Sequence, residues 1–122
     1  MRAVRTLTPL QIDDIRSVQK AAEARTGLRF AVYVGRADGA GREFAERLHA
    51  ALDDDADKAV LITVDVEARA LEIVTGERAR KFVTDAECRL VAASMVGAFG
   101  AGDLAGGLIT GIAALADCAA RV

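Results

Sequence analysis

The sequence predicts a small α/β domain, a short mixed β-sheet sandwiched by α-helices on both faces. Three observations carry this. Leu28 to Val34 (LRFAVYV) and Ala59 to Val64 (AVLITV) are β-rich and almost unbroken in apolar character, the pattern of strands covered on both sides. A helical pattern lies between them, so the two strands are expected to run parallel through a crossover. A further β-rich run, Arg69 to Val74, follows after only Asp65 to Ala68, a turn too short for anything but an antiparallel hairpin.

The elements read in order as α, β, α, β, β, α, α. Thr8-Pro9-Leu10-Gln11 is a helix start, with Thr8 as cap, Pro9 at the first position and Gln11 placed to reach back as in a capping box. Ile12, Ile15, Val18 and Ala22 form the face of that helix, and Gly27 is its left-handed stop. The second helix is expected over Arg42 to Leu52, with Phe44, Leu48, Ala51 and Leu52 on one side. Thr84, followed three residues later by Glu87, opens a third helix whose stripe is Cys88, Val91, Ala92, Met95 and Phe99. Asp103 caps the last helix, faced by Leu104, Leu108, Ile112, Leu115 and Ala119. Gly107 and Gly111, one turn apart, allow a close backbone approach to a sheet or another helix.

A chain of 122 residues is of single-domain size, so one core over residues 1–122 is the expectation. Apolar residues at 52% supply enough burial to order it. A net charge of -2 and the absence of Trp argue against nucleic acid as a partner, because both counterion release and base stacking lack material. The most apolar stretch, Leu104 to Ala116, is shorter than a membrane span and reads as a core helix. The first eight residues lack the apolar region of a signal peptide, which places the chain as it stands in the cytoplasm, and in an exported protein only if a leader preceded it. Cys88 and Cys118 stand without metal-ligand spacing and read as buried thiols, with a disulfide open to them if their helices are close antiparallel neighbours.

Strand direction gives one edge of the sheet a candidate chemistry. The start of the second strand, after Asp53-Asp54-Asp55-Ala56-Asp57, and the end of the third, at Thr75-Gly76-Glu77, share that edge, and Asp85 follows closely enough to return to it. Asp57, Glu77 and Asp85 are therefore candidate oxygen ligands for a hard cation such as Ca²⁺ or Mg²⁺. The acidic run itself is not an EF-hand loop, since Lys58 and Val64 occupy the positions that need Gly and Glu. It reads equally as a solvated turn. At the opposite edge, Gly35 to Arg42 joins a strand to a helix, and Gly39, Gly41 and Arg42 are weaker candidates for binding an anion; the full GxGxxG spacing fails at Phe44. No phosphate loop or nucleophile elbow is present.

Leu7-Thr8, Phe44-Ala45, Asp57 with Val60-Leu61-Ile62, Arg69, Thr75-Gly76, Thr84-Asp85 and Phe99-Gly100-Ala101-Gly102-Asp103 together resemble the TPM domain pattern, from Leu7 to about Leu115. That family takes in thylakoid-lumen phosphatase-like proteins, photosystem II repair proteins and a receptor modulator. Leu28 to Gly35 and Phe99 to Gly107 look most like a short actinobacterial branch of unknown function. The resemblance implies a divalent cation held near Asp57 and Asp85, and phosphate-ester hydrolysis in some members. Two departures bear on this: Asp57-Lys58-Ala59 stands where the family carries Asp-Asn-Gly, and Gly76-Glu77-Arg78 where it carries Gly-x-Gly. Lys58 adds positive charge beside the expected cation. The leading expectation is accordingly a non-catalytic domain acting through protein contacts, including contacts with a second copy. A cation-dependent phosphate monoester hydrolase is the alternative, and an anion sensor at Gly39 to Arg42 comes third.

Overall fold

The structure, a computed structural model, describes residues 7–120. The residues before Leu7 that were read for a signal peptide lie outside the described part. Within it the elements follow the expected order: α1 (Pro9–Thr26), β1 (Arg29–Val34), α2 (Gly41–Ala50), β2 (Ala59–Asp65), β3 (Ala70–Thr75), α3 (Asp85–Gly100) and α4 (Leu104–Ala120). The three strands lie in the order β1-β2-β3, with β1 parallel and β3 antiparallel to the central β2.

Local chemistry sets the helix ends. Both capping boxes are formed: Thr8 and Gln11 exchange bonds at 2.9 and 3.1 Å, and Thr84 and Glu87 at 3.0 and 3.2 Å. Gly27 closes α1 in the left-handed conformation, at φ 74°. Asp103 accepts the Gly106 N–H at 2.9 Å and so starts α4.

Two boundaries differ from the expectation. α2 stops at Ala50 instead of Leu52, because the Leu52 N–H tightens onto the His49 carbonyl, three residues back, and Asp53 then takes a left-handed φ of 54°. Ala51 consequently falls on the exposed side. β3 begins at Ala70, since Arg69 has the same left-handed φ and belongs to the hairpin turn that Val66 closes by accepting its N–H. The acidic run is a single 3-10 stretch over Asp53–Lys58.

Residues in register share a face of the sheet. Phe30, Val60 and Thr75 begin one face, and Ile62, Ile73 and Val64 continue it. This is the principal core, where Ile15 and Ala22 of α1, Val91 and Met95 of α3, and Leu108, Ile112 and Leu115 of α4 pack together. α4 runs between α1 and α3 and contributes residues that are fully buried. The opposite face carries Leu61, Thr63 and Val74 and is covered by α2, with Ala45 buried and the Phe44 ring tilted against Tyr33 at 5.3 Å. β2 is therefore enclosed on both sides, as its unbroken apolar run requires.

The close approach at the last helix is helix on helix. Gly111 lies against the Met95 side chain and Gly107 against the Phe99 ring, so both glycines seat α4 on α3. Among the described residues no helix is long and apolar enough to cross a membrane. The stretch from Leu104 to Ala116 is a core helix.

Candidate functional site

The edge carrying the cation candidates forms where β2 begins and β3 ends. Val60 pairs with Thr75, and the Gly76 N–H continues the ladder to the Ala59 carbonyl at 2.9 Å. The chain after Gly76 passes so near the carbonyls of Ala56 and Asp57 that a side chain on Gly76 would collide with them. Asp57, just before β2, and Glu77, just after β3, therefore lie on two segments that meet, as the strand directions implied. The Asp57 carboxylate accepts the Arg78 N–H at 3.1 Å, and its main-chain carbonyl accepts the same N–H at 3.0 Å. Asp85 lies beyond a short 3-10 turn, Ala79–Lys81, in the first turn of α3.

These carboxylates do not converge as a ligand shell. Among the described residues, no three side chains of His, Cys, Asp or Glu come together as a group able to hold a metal ion. Lys58 is directed to Asp55, 3.9 Å away, and Asp55 also faces Arg29 at 3.8 Å. As placed, the described side chains gather fewer than three such donors, so a divalent cation there would take most of its oxygens from water.

The anion candidates occupy the opposite edge. Gly39 has φ 89° and Gly41 begins α2. Arg42 turns away from the loop toward β3, donating to the Ile73 carbonyl at 3.0 Å, to Glu46 at 3.1 Å and to Glu72 at 3.4 Å. Two carboxylates thus surround the guanidinium that an anion would use.

Asp65 gives this edge its order. Read from sequence as a hairpin-turn residue, it accepts the Ala68 N–H of that turn at 3.1 Å and also the Ala37 N–H of the β1–α2 loop at 2.9 Å. Those two N–H groups, Ala37 first, hold its carboxyl below the ordinary carboxylate range. His49 lies partly buried with Nε2 3.2 Å from the Ala59 carbonyl. Neither Cys88 nor Cys118 is in a disulfide. Burial, with the Asp85 charge next, pushes the Cys88 thiol up to about 11.

Sequence reasoning missed how the sheet's outer edges are covered. At β1, Gln19 and Glu23 of α1 reach over the strand: Glu23 accepts the Phe30 N–H at 3.0 Å and Gln19 donates to the Phe30 carbonyl at 2.9 Å. At β3, Arg42 of α2 donates to the Ile73 carbonyl. The only signal available was the spacing of Gln19 and Glu23, four apart and hence on one helix face.

The TPM domain model matches residues 2–118 of the chain. The BA42 protein of the psychrophilic bacterium Bizionia argentinensis has a similar solved structure, with a TM-score of 0.83 at 22% identity, covering 93% of this chain and 81% of that one. The N-terminal domain of a protein from P. gingivalis aligns with a TM-score of 0.80 at 19% identity, over 92% of this chain and 75% of that one. The N-terminal domain of a Corynebacterium glutamicum protein aligns with a TM-score of 0.74 at 19% identity, over 94% and 72%. At these identities the likeness is one of fold. No curated protein matches the chain.

Proposed function

The chain belongs to the TPM domain family, and from that premise we propose that it is a protein-interaction module of the family that works by contact. The observation that carries the reading is the outer side of α3. Leu90 and Val96 stand 74% and 54% exposed there, with Phe82 at 47% on the approach to the helix. The exposed small residues Ala86, Ala93 and Gly97 lie along the same helix, with the exposed Arg89 beside Leu90. Large apolar side chains held in water on a single helix gain free energy when another surface covers them, at roughly 25 cal/mol per Å².

The test pairs association with turnover. The wild-type chain should associate, with itself or with a protein partner, through α3, and Leu90→Glu with Val96→Glu should abolish that association while leaving the melting temperature unchanged. Rapid hydrolysis of a phosphate monoester by the purified monomer would overturn the reading.

A divalent-cation-dependent hydrolase of phosphate monoesters is the second reading. It is favoured by the family resemblance and by the meeting of the Asp57 and Glu77 segments at one edge. For Ca²⁺ or Mg²⁺ to bind there, Asp57 would use the carboxylate oxygen that does not accept the Arg78 N–H, and water would complete the shell. This reading expects added Ca²⁺, Mg²⁺ or Mn²⁺ to raise the melting temperature of the wild type and not of Asp85→Asn. Identical melting with and without the ions removes it.

A further inference from the structure

Among the described residues, side chains cover only half of the outer edge of β1. Along an edge strand, every second residue turns its N–H and C=O away from the sheet. On β1 these are Phe30, Val32 and Val34, because Gly35, in the other phase, donates to Val64 of β2. Phe30 is served by Glu23 and Gln19. No side chain among the described residues bonds the outward groups of Val32 and Val34 in the same way. Beside those two residues, α1 and the strand enclose an open groove of about 210 Å³ lined by Leu7, Ile12, Ile15, Val32 and Val34. Arg16 stands on the groove wall without an ion-pair partner among the described residues.

We propose that this groove binds an extended peptide segment of a partner protein, which adds as a strand to β1 at Val32 and Val34. A helix has no free backbone groups to offer these donors and acceptors, whereas an extended segment pairs with all of them. The bonds already made at Phe30 stop the pairing there, so the recognised stretch is short, about four residues. Alternate side chains of a strand point to opposite faces, which sends an apolar residue of the peptide into the groove beside Ile12 and Ile15. Charge complementarity places an Asp, a Glu or a terminal carboxylate of the peptide against Arg16. This inference adds to the interaction reading but uses a different face from the α3 row, so each fails separately.

The test begins with selection of random seven-residue peptides on the full chain, followed by anisotropy measurements with the best synthetic peptide. Selected sequences should alternate apolar and polar residues and carry an acidic group. Binding should slow amide exchange at Val32 and Val34. N-methylation of the pairing amide in the peptide, which leaves the protein untouched, and Arg16→Glu, at an exposed side chain, should each weaken binding by about fivefold or more. Leu90→Glu should not affect it. The proposal is overturned if no peptide is selected, if the N-methylated peptide binds equally well, or if Val32 and Val34 exchange at the same rate with and without peptide. It is equally overturned if their amides are already protected in the free chain and lose that protection when residues 1–6 are deleted, or if protection rises with protein concentration alone.

Discussion

The carboxylate of Glu23 accepts the backbone N–H of Phe30 at 3.0 Å, tying the outward-facing edge of β1 to α1, while Gln19 takes the carbonyl of the same residue. Among the described residues the sheet has three strands, two of them at its edges, so the way each edge is covered decides what the fold can pair with. Removal of the acceptor in Glu23→Ala leaves the Phe30 N–H unpaired and should cost about 1–2 kcal/mol. Glu23→Gln keeps an acceptor oxygen and should recover most of that loss. Urea unfolding of the two variants separates them; equal losses would mean that the bond contributes nothing.

Gly76 and Gly111 make contrasting demands. A Cβ at Gly76 meets the main-chain carbonyls of Ala56 and Asp57, which cannot move without breaking the end of the sheet. At Gly111 it meets the side chain of Met95, which can swing aside. Gly76→Ala should therefore destabilise by about 1–3 kcal/mol and Gly111→Ala by clearly less. The comparison is made from denaturation midpoints at a common m-value.

The Cys88 thiol should resist alkylation by iodoacetamide at pH 8 in the folded chain, since burial pushes its pKa up to about 11 from an ordinary 9.0. The sign of the pH effect follows. Above pH 9 the unfolded chain loses this proton while the folded chain keeps it, so the contribution to stability is complete below pH 9 and is lost as pH rises through about 11. Melting curves of the wild type should fall more steeply over that range than those of Cys88→Ala. Parallel curves would refute the shift.

Asp65 acts at the acid end. Its folded pKa lies below the ordinary 3.8 because the Ala37 and Ala68 N–H groups favour the carboxylate. Its contribution is thus present above that value and is lost as pH falls through the lower, folded one. Asp65→Asn should melt below the wild type at neutral pH, and the gap should narrow as the solution is acidified below pH 4. A gap that stays constant would show that charge plays no part.

Loss of the α3 cap offers a purely local control. Thr84→Ala removes the oxygen that accepts the Glu87 N–H at 3.2 Å and should cost about 1 kcal/mol. Thr84→Ser should restore it, as thermal unfolding can verify.

Much of the fold was written in short-range patterns. Thr8 with Gln11, Thr84 with Glu87, Gly27 and Asp103 mark helix ends through bonds between neighbours in the chain, so sequence alone determined them. The unbroken apolar run of β2 likewise announced a strand covered on both sides. The left-handed residues Asp53 and Arg69 were not legible, because neither is a glycine and their conformation is imposed by the turns they close.

The α/β class, the element order and the meeting of the Asp57 and Glu77 segments were determined by the sequence, because periodicity and connection length are local quantities that limit strand direction. Tertiary structure alone decided the strand order, the seating of Gly107 and Gly111 on α3 and the engagement of Arg42 with β3. It also decided that Gln19 and Glu23 cover Phe30 and stop short of Val32. Those outcomes depend on which side chains reach a backbone group on another element, a distance set by packing and invisible in spacing along the chain.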